Sequence, residues 1–199
     1  MGRPTQKIVR PICFAIWLAV ATFAATTLTA WHAVALPTRT APAALHPPAN
    51  TWRLTHYLSA DCTCSLAIAR YLMLRRPLPS ATEEIVLVDG VDRRAEQNLK
   101  DSLHRTHFPY TAIPAEAVAS RDGVEAVPLL MVEAPDGTVR FRGGYHERGT
   151  PPDQYLDVTI LTDLMASKPA PNPRVYGCAT SHRLRSQLDP LSLLSLSHP

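Results

Sequence analysis

Residues 12–30 carry no charge, and the apolar run they form, about 19 residues, is close to the shortest helix that crosses a bilayer. Arg3, Lys7 and Arg10 precede it and are the only charges before residue 37. The positive-inside rule then predicts a single transmembrane helix with a cytoplasmic N-terminus and the rest of the chain exported. Ala33-Val34-Ala35 has the form of a signal-cleavage site, so removal of the segment is the rival reading. The run is long for a signal sequence, which favours an uncleaved anchor over residues 1–36. Residues 37–51 contain Pro37, Pro42, Pro47 and Pro48. Prolines at that density give an extended, semi-stiff linker that holds the following domain off the membrane.

From Trp52 the pattern becomes that of short alternating elements. Trp52-Arg53-Leu54-Thr55-His56-Tyr57-Leu58 reads as a strand, and residues 64–75 as a helix stopped at Arg75-Arg76-Pro77. Glu84-Ile85-Val86-Leu87-Val88-Asp89, ending at Gly90, suits a strand buried on both faces. Residues 92–106 space Ala95, Leu99 and Leu103 four apart among charged residues, which predicts an amphipathic helix. A short strand over 108–113 and a short helix over 114–121, closed by Asp122-Gly123, follow. Leu129-Leu130-Met131-Val132 is a strand joined through the turn Ala134-Pro135-Asp136-Gly137 to a partner over 139–142. Thr150-Pro151-Pro152-Asp153 has the form of a helix start, with the helix running to Met165 and Leu156, Ile160 and Leu164 on one stripe. Pro169, Pro171 and Pro173 prevent its continuation. The order predicts an α/β domain over residues 52–166, a central mixed sheet flanked by helices, with residues 167–199 as a C-terminal tail.

Charge removes one class of function. The formal net charge of +3 lies wholly in the first ten residues, and residues 37–199 balance to zero. There is no basic field of the kind that nucleic-acid binding needs. Arg75-Arg76 and Arg93-Arg94 read as solvated helix surface. The sequence also has no nucleotide-binding glycine loop, no Ser-His-Asp order and no zinc-type pair of cysteine clusters.

The candidate chemistry is that of thiols. Cys13, inside the apolar run, reads as a small apolar residue. Cys62, Cys64 and Cys178 fall in the exported part, an odd number in a compartment that permits disulfides. Ser59-Ala60-Asp61-Cys62-Thr63-Cys64-Ser65 sets two thiols at a strand-to-helix junction. Free N–H groups and the positive dipole end at a helix start stabilise a thiolate. Cys62, nearer the loop, is expected to be the more exposed, attacking thiol, and Cys64 the deeper, resolving one. Ser65 is placed to hydrogen-bond the thiolate. Cys178 has three fates open to it: free, paired between molecules, or paired with Cys62 or Cys64. His146, after a strand end, is either a surface histidine or a third ligand that joins Cys62 and Cys64 around a soft Cu(I) ion.

This order of elements, with a thiol after the first strand and Val127-Pro128 ahead of a later one, resembles the thioredoxin fold over residues 52–166. The resemblance implies that Pro128 is a cis proline lying against the active-site cysteine. It also implies that Val127 offers backbone hydrogen bonds to a bound peptide. The family's usual Cys-x-x-Cys is replaced by Cys62-Thr63-Cys64-Ser65. If Cys62 is the nucleophile, Ser65 stands where the resolving cysteine belongs and Cys64 is an added thiol. If Cys64 takes the resolving place, Asp61 falls at the nucleophile's position unless the loop is one residue shorter. A Cys62–Cys64 disulfide would close a small, strained ring, and strain makes a disulfide the stronger oxidant.

More narrowly, three pieces are similar to the membrane-tethered, RedB-type thioredoxin-like proteins: the Cys62-Thr63-Cys64-Ser65 site, Phe141-Arg142-Gly143-Gly144-Tyr145-His146-Glu147-Arg148-Gly149, and Val175-Tyr176-Gly177-Cys178. Copper-delivery proteins on the same scaffold use two more widely spaced cysteines and a distant histidine. The expectation is therefore a single-pass protein of a bacterial-type inner membrane with its domain in the periplasm. It would exchange disulfides with a thiol- or disulfide-bearing extracytoplasmic protein, without an organic cofactor. Cu(I) delivery through Cys62, Cys64 and His146 is the alternative.

Overall fold

The computed structural model describes residues 11–23, 26, 35–36, 46–90, 92–147 and 154–188. The chain divides into two compact units, Met1–Val34 and Ala35–Pro199. In the first, residues 11–23 are helical. Among the described residues no helix is long and apolar enough to cross a membrane. Residues 24–25 and 27–30 of the expected span lie outside the described residues.

In the second unit the apolar runs form strands and the interspersed runs form helices. They are β1 (Trp52–Leu58), α1 (Thr63–Arg75), β2 (Ala81–Val88), α2 (Arg93–Arg105), β3 (Tyr110–Ile113), α3 (Ala115–Arg121), β4 (Ala126–Val127), β5 (Leu129–Glu133), β6 (Val139–Gly143), α4 (Asp157–Met165), β7 (Cys178–Ala179) and α5 (His182–Leu188). Asp92 caps α2, its carboxylate accepting from the Arg94 and Ala95 N–H groups at 2.9 and 3.0 Å. The β5–β6 turn closes as its sequence demands. Gly137 takes a φ of 83°, and Asp136 accepts from the Thr138 N–H at 2.8 Å.

Among the described residues a five-stranded sheet runs in the order β3-β2-β1-β5-β6, and β4 and β7 form a second, two-stranded sheet. β1 pairs in parallel with β2 and antiparallel with β5, so the main sheet is mixed. Side chains alternate across it. On one face Leu54, Leu58, Ile85, Leu87, Leu130 and Val132 pack with Ile68 and Leu72 of α1, Leu99 and Leu103 of α2, and Ile160 and Leu161 of α4. On the other, Tyr57, Val86, Val88, Leu129 and Met131 pack with Val118 of α3, Leu184 of α5, Val175 and Cys62. The segment read as a tail therefore contributes to the second core.

Two boundaries differ from the sequence reading. β2 begins at Ala81 and takes in Glu83, which is buried. α4 begins at Asp157, and Thr150-Pro151-Pro152-Asp153 lies outside the described residues. The buried face of α4 is Asp157, Ile160 and Leu161, with Leu156 and Leu164 only partly covered.

The charges that the strand reading left out are satisfied together. His56, fully buried on β1, donates from Nε2 to Glu83 Oε1 at 2.7 Å, and its Nδ1 lies 2.6 Å from the Tyr145 hydroxyl. Glu83 also accepts from Arg75 and, at 2.8 Å, from the Leu78 N–H. Arg75 lies 3.1 Å from Asp157, to which the Tyr71 hydroxyl donates at 3.0 Å. Burial alone would raise the Glu83 carboxyl. Hydrogen bonds from His56 and Arg75 outweigh it and hold the pKa at about 2.

Since the folded value lies below the ordinary 4.5, this stabilisation is complete above pH 4.5 and is lost as pH falls through about 2. Glu83→Gln leaves Arg75 and His56 without their anion and should cost about 3–5 kcal/mol in urea unfolding near neutral pH. Repeated in acid, the same experiment should show a smaller loss of stability in the variant than in the wild type between pH 4.5 and 2.

Candidate active site

The site forms where β1 ends and α1 begins. β1 is paired with β5 from Arg53↔Glu133 to Tyr57↔Leu129. Beyond that last pair, Val127-Pro128 and the turn after Leu58 are brought to the same end of the sheet. The Cys62 N–H donates to Ser59 O at 3.2 Å, and the Leu66 N–H to Cys62 O at 3.0 Å, so Cys62 is the N-cap of α1. Asp61, just before it, is held by the next loop: its Oδ1 accepts from the Asp92 N–H at 3.2 Å. Gly90 lies against the same carboxylate, where an added Cβ would sit 2.4 Å from Asp61 Oδ2.

Cys62 is fully buried and Cys64 is exposed, the reverse of the sequence expectation. The physical reason is that the turn folds the N-cap side chain inward onto the second core, while the position two residues on faces away. The Cys62 sulfur lies 3.7 Å from Val127 O. The Val127–Pro128 peptide is cis. Cys178 stands opposite Val127 in the antiparallel β4–β7 pair. Gly177 presses on the same peptide, where a Cβ would lie 2.1 Å from Val127 O and 2.6 Å from Pro128 Cδ. All four cysteines, Cys13 included, are free thiols.

Electrostatics separates the three thiols. The Cys62 pKa is held far below the ordinary thiol value. The neighbouring Cys178 thiol first and the Cys64 thiol next lower it, against the opposing effect of burial, with the Ser65 N–H adding to them. Ser65 is fully buried, and its hydroxyl has no ordinary hydrogen-bond partner among the described residues. Cys64 and Cys178 are pushed up, each by donating to Cys62 and then by its own burial. The arrangement favours the negative charge on Cys62 over Cys64 and Cys178.

The expected copper ligands do not assemble. His146 Nδ1 lies 3.1 Å from Gln154 O, and its ring packs on Tyr155 with centroids 4.6 Å apart. Among the described residues no group of three or more His, Cys, Asp or Glu side chains is arranged to hold a metal ion. Cys62, Cys64 and His146 therefore do not fit a Cu(I) site.

No family model and no curated protein sequence matches the chain. Among solved structures it is similar to a hypothetical protein from Sinorhizobium meliloti 1021, at 14% identity and TM-score 0.54, over 74% of this chain and 94% of that one. It is also similar to an uncharacterized conserved protein from Geobacillus kaustophilus, at 14% identity and TM-score 0.49, over 74% and 92% of the two chains. The thioredoxin domain of a thiol-disulfide oxidoreductase from Bacteroides vulgatus is similar at 14% identity and TM-score 0.40, over 63% of this chain and 96% of that one. The order β3-β2-β1-β5-β6, the thiol at the start of the helix after β1, and the cis proline that opens β5 agree with the expectation from sequence. The fold is thioredoxin-like. These likenesses are of fold, and the chemistry rests on the residues themselves.

What the sequence reading passed over is the clamp on Cys178. The Thr180 N–H donates to Glu125 O at 2.7 Å, the Ser181 hydroxyl to Glu125 Oε1 at 3.2 Å, and Arg183 pairs with the same carboxylate. The signal available was Gly177 directly before Cys178, since a glycine beside a functional residue often marks a close backbone approach.

A thiolate so stabilised is measurable. Ultraviolet thiolate absorbance of the reduced protein should persist at about pH 5, where an ordinary thiol is fully protonated. It should disappear at that pH in Cys62→Ser. Equal absorbance in both proteins would move the low-pKa thiol elsewhere.

Proposed function

We propose that this chain is a membrane-anchored, extracytoplasmic thiol–disulfide exchange protein of the RedB type, working through Cys62. The observation that carries the reading is the Cys62 sulfur, seated at the N-cap of α1 beside the cis Val127–Pro128 peptide, with neighbouring thiols that lower its pKa. That is the electronic state exchange needs, because the thiolate is the nucleophile and a stabilised thiolate is also a good leaving group. Cys62 attacks a partner's disulfide, or is attacked within its own. A neighbouring thiol then resolves the mixed disulfide, and Cys64 is the one nearest in sequence. Val127 and Pro128 wall the groove beside the reacting sulfur, and Ser65 steadies the thiolate. The partner is a thiol- or disulfide-bearing protein outside the cytoplasm, and the chemistry calls for no organic cofactor.

Exchange with excess oxidised glutathione should fall to background in Cys62→Ser, read as glutathione released per protein. Full exchange in that variant would remove Cys62 from the central role. For the topology, a reporter active only outside the cytoplasm and fused after residue 50 should be active. Activity of a cytoplasm-only reporter at the same position would overturn the localisation to the periplasmic face of an inner membrane.

A further inference from the structure

Cys62 is completely buried, so no protein disulfide can reach it while its surroundings stay as they are. Part of what surrounds it is the C-terminal segment. β7 lies along β4 with Cys178 directly opposite Val127 and Ala179 opposite Ala126. Residues directly opposed in an antiparallel pair have Cα atoms about 4.5–5.5 Å apart. Val127 is also the residue whose carbonyl lies 3.7 Å from the Cys62 sulfur. Cys62 and Cys178 thus meet at the same residue, Cys62 inside one apolar cluster and Cys178 packed against it. Cys64 also neighbours the Cys62 sulfur but is exposed, whereas Cys178 is half-buried against the same core.

The segment is fastened on both sides of Cys178. Before it, Leu36 bridges Val175, and Gly177 is pressed against the Val127–Pro128 peptide. After it, Glu125 takes bonds from Thr180, Ser181 and Arg183, and Glu116 accepts from the His182 N–H at 2.6 Å. Leu184 of α5 is buried in the same cluster. The pairing itself is only two residues long, so lifting β7 breaks few ladder bonds while the anchors on either side keep it close.

We propose that Cys178, and not Cys64, is the thiol that closes on Cys62, carried to it by strand β7. This rests on the reading of Cys62 as an exchange centre. β7 lifts to admit a disulfide. The Cys62 thiolate attacks one of its sulfurs, forming a mixed disulfide and releasing the other sulfur as a thiolate. β7 then returns to β4. The Cys178 thiol gives its proton to the departing thiolate and attacks the Cys62 sulfur. A Cys62–Cys178 disulfide forms as the second thiol of the partner leaves. The Cys62 thiolate and the Cys178 thiol have been oxidised to a disulfide and the partner disulfide reduced to one thiolate, which takes its proton from water, and one thiol; an external dithiol resets the protein. In the reduced protein Cys178 already stands across β4 opposite Val127, the residue whose carbonyl lies against that sulfur.

The test treats the reduced full chain with excess oxidised glutathione, quenches with acid and alkylating agent at successive times, and maps the cysteines by tandem mass spectrometry. In the wild type, glutathione should pass transiently through Cys62 and end as a Cys62–Cys178 disulfide, with Cys64 alkylated. In Cys178→Ser the glutathione adduct on Cys62 should persist. Gly177→Ala keeps all three thiols but forces a Cβ into Val127 O, so β7 is displaced and the adduct should clear about tenfold or more slowly. A wild-type product of Cys62–Cys64 with Cys178 alkylated overturns the proposal, as does equal clearance in wild type and Cys178→Ser. Absence of any glutathione on Cys62 in all three proteins overturns the exchange reading itself, and the role of Cys178 with it.

Discussion

The buried sulfur of Cys62 lies against the carbonyl of Val127, and the rest of the domain is arranged to keep it there. The two residues are 65 positions apart in the chain. They meet because β1 is central in the sheet and β5 runs beside it in the opposite sense, so the exit of one strand and the entry of the other share an edge. A shift of one residue in that register would turn every side chain of β5 to the other face. Leu129 and Met131 would then leave the core that houses Cys62. Placement of the reacting sulfur and correct packing of the sheet are the same requirement.

The opposite face holds the helix that carries the thiol. Arg75, the last residue of α1, is tied to Glu83 of β2 and lies beside Asp157 of α4. Tyr71, one turn earlier, bonds the same aspartate. These bonds clamp the C-terminal end of α1 while Ile68 and Leu72 seat its middle, which leaves the N-terminal end rigidly aimed at Val127. His56 and Tyr145 complete the network in the sheet. The polar network, remote from the chemistry, makes α1 a fixed platform. Fixed platforms hold reacting groups more reliably than loops do.

The strands were legible because their apolar character is strong. Trp52–Leu58 has the same limits in the sequence reading and in the structure. β2 was read too short because Ala81, Thr82 and Glu83 look like a polar lead-in, and no sequence pattern says that Glu83 is buried against Arg75 and His56. The thiols were legible as a pair at a helix start, but not in their exposure. That was argued from one helix in isolation, where the cap meets solvent. It is decided by a strand more than a hundred residues away, and two residues without periodicity, Cys178 and Ala179, give no sign that they will pair with β4. Residue types compatible with Cu(I) are likewise visible in the sequence, but not that the loop bearing His146 turns its ring onto Tyr155.

The three thiols also give the site a direction. A thiolate stabilised by two thiol donors is a weaker nucleophile than an ordinary one, because nucleophilicity falls with pKa, but it leaves faster. Stabilising it favours the reduced protein, so a disulfide that includes Cys62 is correspondingly oxidising. Burial acts the other way, since an anion out of water is costly unless it is hydrogen-bonded. The donors outweigh burial at Cys62, and one of them, Cys178, arrives on β7. When that strand lifts, the thiolate loses a donor and gains water at the same moment, so the sulfur becomes more basic, more nucleophilic and accessible together. Its return brings Cys178 back against the Cys62 sulfur, now in the mixed disulfide, where Cys178 attacks and the partner's thiolate leaves. A short strand paired against one carbonyl therefore alternates the same sulfur between the state that attacks and the state that is attacked.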